Sequence, residues 1–387
     1  PAPKGGGISG PTRVELSSGR GEPTDPLNRD APGSEAWRSQ KRVHMVTGHG
    51  AEGTRMGRGT ACRQWEDYFN NREINPIFEP KDTQALPKAE EYTLDWMAHL
   101  AFVRGLKHST IKNKLGQIAG RHIEITGLNP FDSMRRIRLA MDTLRRWSGP
   151  KKRKYPPGPP MLREALKNSE LTDKDRAVLR GILTTGFAFL LRCTEFLSRG
   201  AAGGDLKKVL RGVDVQFKHQ GLLRRPDEPG PEPDEVSIFL RSSKADQYNN
   251  GCLLNHHRAD AANADLCPVK SLWMIFLMFP ERAQEERYLP LFRWADGSAA
   301  TRDQIRRRLQ RAGLVLGIPA DATGMHSLRS GGATAIYNAT GGNVPLVKRL
   351  GRWASDAFEG YIWESRELTL GLASKMLSAP WAVHPST

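Results

Sequence analysis

The stretch HSLRSGGAT, His326 to Thr334, sets an imidazole and a guanidinium three residues apart. On a helix that spacing puts both on one face, and no carboxylate lies within the stretch to make an ordinary ion pair. Two donors on one face, followed by small residues that permit close approach, read as a clamp for an anion. A second guanidinium, Arg192, follows an apolar run in FLLRCTEF. An arginine taken out of water is costly unless paired, and Glu195, one turn on, is the nearby candidate. Lys244 stands where the alternating run EVSIFLRSSK enters a turn. Tyr361 closes LGRWASDAFEGY, 8 residues after Trp353 and 32 after Arg329. Taken singly, each has a plainer reading: a surface lysine, a core histidine, an aromatic packed on a helix. Tyr337 competes with Tyr361 as a reactive tyrosine, but it lies on the helix that opens at the clamp and is expected to pack.

Composition narrows the choice of anion. Lys and Arg number 58 against 42 Asp and Glu, a net charge of +16. That excess favours a polyanion, and nucleic acid comes before membrane because no amphipathic basic helix stands out. The longest apolar run, LWMIFLMF, is too short to span a bilayer, so no membrane partner is expected. No signal peptide opens the chain, which begins at Pro1, and a fragment or processed product is expected. Four cysteines in 387 residues suggest a reducing compartment rather than a disulfide framework. Cys252, His256, His257 and Cys267 match no standard zinc spacing, and Cys267 precedes Pro268 at what reads as a helix start. Neither a metal nor a cofactor is expected.

The elements that must hold these residues follow from pattern. Residues 1–60 carry 12 Gly and 6 Pro without periodicity and read as a disordered basic N-terminal region; 61–85 read as a connecting segment. Residues 86–150 read as a helical domain of three amphipathic helices. The first starts at Pro87 and buries Leu94, Met97, Leu100 and Ala101. The second has Ser109 as N-cap, buries Ile111, Leu115 and Ile118, and ends near Gly127. The third buries Met134, Ile137, Met141 and Leu144 beneath an arginine-rich face. Lys112, Lys114 and Arg121 of the second helix are candidate DNA contacts, as is the run Lys151, Lys152, Arg153 and Lys154. That run opens the Pro/Gly-rich linker 151–160. Residues 161–387 read as a mixed domain: one long, largely buried helix system over TDKDRAVLRGILTTGFAFLLRCTEFLSR, a short antiparallel sheet from VDVQFKHQ, EVSIFLRSSK and GCLLNHH, then helices from Pro268 onward. The fold class expected is mainly α with a small antiparallel β-sheet (α+β).

In order along the chain, Arg192, Lys244 on a hairpin, His326-x-x-Arg329, Trp353 and Tyr361 resemble the sextet of the tyrosine recombinase (phage-integrase) family. The resemblance spans about residues 85–385. The wording LLRCTEFL, RSSKADQ, LCPV and HSLRSGGAT…GRW…YI looks most like the eukaryotic branch carried by DIRS-like and Crypton-like mobile elements. Two departures stand out: Trp353 occupies a place where most relatives have His, and its spacing to Tyr361 is one residue shorter than in many bacterial members.

The resemblance implies a SAM-like core-binding domain over 86–150 and a tyrosine recombinase catalytic domain over 161–387. It implies metal-independent cutting and rejoining of double-stranded DNA by a homo-tetramer on DNA, monomeric or dimeric when free. Tyr361 would form a 3′-phosphotyrosyl link. Arg192 and Arg329 would hold the equatorial oxygens, with His326 and Trp353 as further donors. His326 would take the Tyr361 proton and Lys244 would protonate the 5′ oxygen. The stripe Leu368, Leu372 and Met376 would pack on its own domain or dock on a neighbouring protomer. The implied setting is mobile-element integration or excision in the nucleus, an address the KKRK run would suit, or else in the cytoplasm. Two other readings stay open: a type IB topoisomerase-like enzyme, and a domesticated DNA-binding protein without turnover.

Overall fold

The computed structural model describes residues 52–78, 86–149, 153–167, 170–198, 209–241, 246, 250–324 and 327–378. The chain divides into two units, Pro1–Pro150 and Lys151–Thr387.

In the first unit α1 (Glu52–Asn70), α2 (Leu86–Ala98, continued by a π-helical turn over His99–Val103), α3 (His108–Thr126) and α4 (Arg135–Trp147) surround one apolar core. Helix α1 (Glu52–Asn70) departs from expectation, since it occupies part of the stretch read as disordered and the first part of the stretch read as a connection. The reason lies in its register: Ala61, Trp65 and Phe69 recur every four residues and are buried, so one stripe supplies the burial that the glycines around it dilute in a composition average. The Trp65 ring meets Trp96 edge-on at 5.0 Å, and its Nε1–H donates to the Pro76 carbonyl at 2.8 Å. The expected apolar positions of α3 are buried, and the helix stops at Gly127 in the left-handed region (φ 78). Its N-cap is Lys107 rather than Ser109, with no side-chain capping bond.

His122 of α3 is buried in this core, with Nδ1 3.0 Å from the Ile118 carbonyl and Nε2 3.3 Å from the Phe78 backbone nitrogen. Those partners fix the tautomer, because Nδ1 must donate and Nε2 must accept. Burial pushes the imidazole below its ordinary value. His256 in the second unit is lowered for the same reason while it hydrogen-bonds the Ala188 carbonyl. Above an unfolded-state pKa of about 6.5 both are neutral in both states and pH is without effect through them. As pH falls below that value the unfolded chain takes up protons that the folded chain refuses, so stability drops. We therefore expect the melting midpoint to fall between pH 7.5 and 5.5, with the slope reduced by His122→Gln combined with His256→Gln. An unchanged slope would place the acid sensitivity elsewhere.

The second unit begins with α5 (Pro159–Leu166), α6 (Asp173–Ala188) and the one-turn α7 (Cys193–Phe196), then a four-stranded antiparallel sheet. Its strands β1 (Val215–His219), β2 (Leu222–Arg224), β3 (Glu235–Leu240) and β4 (Cys252–His257) lie in the order β2-β1-β3-β4. Val236, Ile238 and Leu240 of β3 are buried as the alternation requires. Strand β2 has no counterpart in the sequence reading, being three residues long with Leu222 and Leu223 exposed. It pairs with β1 across Gln220-Gly221, both at positive φ (50 and 81), as a tight two-residue hairpin requires. Next come α8 (Pro268–Met278), α9 (Arg302–Val315), α10 (Ser327–Ala339), α11 (Val344–Gly351), α12 (Arg366–Thr369) and α13 (Leu372–Leu377). Phe217 of β1 packs edge-on between Trp273 and Phe276 of α8, with ring centroids 5.0 and 5.5 Å away, joining the sheet to the helical layer. Among the described residues no helix is long and apolar enough to cross a membrane. The architecture is mainly helical with one small antiparallel sheet.

Candidate active site

Within the long helix system expected over this stretch, α6 stops at Ala188 and α7 starts at Cys193. Between them the chain turns through Leu190, a non-glycine residue in the left-handed region (φ 51). Such a conformation costs free energy and persists only when its surroundings hold it. Here the Leu190 carbonyl accepts from Arg329 Nη1 at 2.6 Å and from Arg352 Nη2 at 3.3 Å. The same turn aims Arg192, the N-cap of α7, toward Glu195. The Glu195 carboxylate, 4% exposed, accepts from the Arg192 backbone N–H at 2.8 Å and from Arg192 Nη1 at 2.9 Å. It also accepts from Arg352 Nη2 at 2.8 Å. The Arg192 side chain keeps 18% of its surface exposed.

Arg329 is 1% exposed. Besides the Leu190 carbonyl it binds the Gly351 carbonyl through Nη2, and its guanidinium carbon lies 4.1 Å from the centroid of the Trp353 ring. Burial first, then the nearby Arg192 and Arg352 charges, push its pKa down to about 9. It is still a cation at neutral pH. Burial also lowers Arg352, with Glu195 opposing the shift. Three guanidiniums therefore cluster around one buried carboxylate that bonds two of them, and the surplus of positive charge in a partly desolvated site is what an incoming phosphate would neutralise.

Arg352 was absent from the sequence reading. It occupies a left-handed C-cap position (φ 56) after α11 and donates to the Phe189, Leu190 and Leu350 carbonyls as well as to Glu195. Its place between Gly351 and Trp353 is the one available signal. A Cβ on Gly351 would lie 1.7 Å from the Trp353 ring, so only glycine lets the indole fold back there.

The small residues of HSLRSGGAT serve packing rather than ligand approach. A Cβ on Gly332 would lie 2.0 Å from the Phe187 carbonyl, and one on Gly331 2.2 Å from the Pro157 carbonyl. The two glycines let α10 press against the end of α6 and the segment before α5, which brings Arg329 to the Leu190 turn.

Tyr361 ends a 3-10 turn, Asp356–Tyr361, and its ring centroid is 5.4 Å from that of Trp353. The indole thus touches both Arg329 and Tyr361. Two residues of α10, four apart on one face, hold the segment from below. Thr334 Oγ1 donates to the Tyr361 carbonyl at 3.0 Å and accepts from the Trp363 N–H at 3.2 Å. Asn338 donates to the Trp363 carbonyl and accepts from the Ser365 N–H, each at 3.2 Å. Tyr337 lies in the small apolar cluster with Val347 and Phe358, and its hydroxyl is 3.4 Å from Glu364 Oε1. Arg192, Arg329, Trp353 and Tyr361 therefore come together, with Glu195, Arg352, Thr334 and Asn338 as supports.

Lys244 and His326 lie outside the described residues, as do Lys151 and Lys152. On either side of Lys244 in the chain the described positions are these: Leu240 pairs with Cys252, and the Asp246 carboxylate accepts from the Asn250 and Gly251 N–H groups. Arg153 donates to the Glu359 and Ile362 carbonyls at 3.4 Å each, and Lys154 Nζ binds the Asp321 carbonyl. In the first unit Lys112 and Arg121 are exposed, Arg121 being 3.7 Å from Glu124, while Lys114 is half-buried against Gln64. Leu372 and Met376 are exposed and Leu368 is half-buried.

No protein-family model matches the chain, and no curated protein does. Among solved structures the chain is similar to the XerH site-specific recombinase bound to palindromic difH substrate in a post-cleavage complex, at 18% identity over 74% of this chain and 70% of that one, TM-score 0.49. It is similar to the Tn1549 transposon integrase in complex with circular intermediate DNA, at 14% identity over 87% and 99%, TM-score 0.49. It is also similar to a lambda integrase dimer bound to a COC′ core site, at 12% identity over 84% and 78%, TM-score 0.48.

Proposed function

We propose that this protein is a DNA tyrosine recombinase that cuts and rejoins strands through a 3′-phosphotyrosyl intermediate. The observation that carries the reading is the Arg329–Trp353–Tyr361 contact series beside the Arg192–Glu195 pair. It sets a tyrosine at the edge of a cationic pocket that holds more guanidiniums than carboxylates. In the reaction Tyr361 Oη attacks the scissile phosphorus, the phosphorus–O5′ bond breaks, and the tyrosine stays joined to the 3′ side. Arg192, with one Nη committed to Glu195 and its side chain 18% exposed, and Arg329 stabilise the charge that grows on the equatorial oxygens. The tyrosine proton passes to His326, and Lys244 gives one to the departing 5′ oxygen. The phosphotyrosyl bond is reversed when a second 5′-hydroxyl attacks it.

The finer reading is strand exchange for integration or excision of a mobile element of the DIRS-like or Crypton-like kind, in the nucleus. The working form is a tetramer on double-stranded DNA, in which Lys112, Arg121, Lys151 and Lys152 meet phosphates. The exposed Leu372 and Met376 fit docking on a neighbouring protomer, since they are not covered by their own unit.

Covalent trapping on nicked suicide duplexes, drawn from a pooled library because the target site is open, tests the reading without added Mg²⁺. A denaturation-resistant adduct is expected in wild type and in Tyr337→Phe, and none in Tyr361→Phe. Loss in Tyr337→Phe alone would reassign the nucleophile. No adduct anywhere, with salt-sensitive duplex binding intact, would favour a DNA-binding protein without turnover. Relaxation of supercoiled DNA without any joining of two duplexes would favour the topoisomerase-like reading.

A further inference from the structure

The stretch from Arg153 to Pro157 does more than connect. Arg153 directs its two Nη groups at the Glu359 and Ile362 carbonyls, 3.4 Å each, on either side of Tyr361 in the chain. Lys154 Nζ binds the Asp321 carbonyl, and the Tyr155 N–H donates to the Ala322 carbonyl at 2.7 Å. The Tyr155 ring lies 5.7 Å from Trp363. The Pro157 carbonyl sits where Gly331 leaves room for it. One strand of chain therefore touches the segment before His326, the helix that carries Arg329 and the segment that carries Tyr361.

We infer that Arg153 is a positioning residue for Tyr361: its planar fork holds the carbonyls flanking the tyrosine, in addition to the Thr334 and Asn338 bonds that hold the same segment from α10. The inference rests on the recombinase reading for its consequence in catalysis, and on the contacts alone for the grip itself. It gives Arg153 a different task from the phosphate contact that its place in a basic run suggests. A guanidinium suits the task because it presents parallel donors in a fixed plane, whereas an ammonium is a single point. A segment held by the α10 bonds alone would sample positions in which the tyrosine oxygen is out of line with the phosphorus, and small misplacements of reacting groups are costly in rate.

The test compares full-length wild type with Arg153→Ala and Arg153→Lys in three measurements. These are the single-turnover rate of adduct formation on suicide duplexes at saturating protein, duplex affinity across a salt series, and amide deuterium exchange of peptides covering residues 356–365. For Arg153→Ala we expect an adduct rate at least tenfold lower, affinity and salt slope within about twofold of wild type, and faster exchange in 356–365. Arg153→Lys is expected to keep most of the loss. A salt slope reduced by about one with an unchanged saturating rate would make Arg153 a phosphate contact and overturn the inference. Full rescue by lysine would overturn it too, since charge alone would then suffice. Unchanged exchange in 356–365 overturns it whichever way the rate moves. If wild type forms no adduct, the recombinase reading is what fails, and the exchange data alone decide whether Arg153 holds the segment.

Discussion

Glu195→Ala is expected to lower the thermal midpoint of the second unit by about 10 °C. The carboxylate is 4% exposed and receives three hydrogen bonds from two arginines, one of them the N-cap N–H of α7. Removing one partner of a buried ion pair costs about 3–5 kcal/mol because the other charge stays buried and unpaired. In a domain of this size each kcal/mol corresponds to about 2–4 °C. The side chains of Arg192 and Arg352 are 18% and 10% exposed, so solvent compensates little of the loss. A double-mutant cycle with Arg352→Met checks the cause. The paired variant should cost clearly less than the two single costs added together, since it removes an unpaired charge as well as a bond. Strict additivity, or a midpoint shift under about 3 °C in Glu195→Ala measured by calorimetry, would show that the carboxylate is not the hub of the cluster.

Arg329→Lys should reduce the single-turnover cleavage rate by about 10²–10³-fold, the range for loss of one preorganised donor to a developing oxyanion, while duplex affinity stays close to wild type. The guanidinium reaches two carbonyls, Leu190 and Gly351, through separate Nη groups, and its central carbon sits over the Trp353 ring. A lysine offers one ammonium, so it satisfies one carbonyl and leaves the other buried without a donor, at about 1–3 kcal/mol. The left-handed Leu190 turn that aims Arg192 then loses one of its holds. The environment that pushes the arginine down to about 9 would act on an amine that gives up its proton more readily. Cleavage and binding are thus expected to separate. A variant with wild-type cleavage would remove Arg329 from the chemistry and leave it a packing residue.

Much of the fold was legible in the sequence. Ile111, Leu115 and Ile118 recur at helical spacing, and Val236, Ile238 and Leu240 alternate; burial of a face follows from such periods whatever the partner. Gly127 as a helix stop follows from the left-handed backbone that only glycine adopts freely. Where local cues were diluted, the reading failed. Helix α1 was hidden by glycines that contribute to composition but not to its Trp65 face. Strand β2 was too short to show a period.

Among the candidate site residues, setting alone singled out Arg192, because an arginine in an apolar run must find a partner wherever the chain takes it, and spacing singled out Arg329 beside His326. Trp353 and Tyr361 stood out only through the family sextet that their order resembles. The sequence by itself determined that such a partner was needed and that Glu195 stood within reach. Only the tertiary structure decided that Arg352 shares that carboxylate, and that Gly331 and Gly332 face backbone rather than ligand. It also decided that Thr334, Asn338 and Arg153 grip the tyrosine segment. These are bonds to backbone carbonyls and amides distant in the chain, up to 209 residues away for Arg153. Every residue presents the same backbone groups, so no side-chain pattern announces which carbonyl will arrive opposite a given guanidinium. That is settled only when helices and turns pack and bring them face to face.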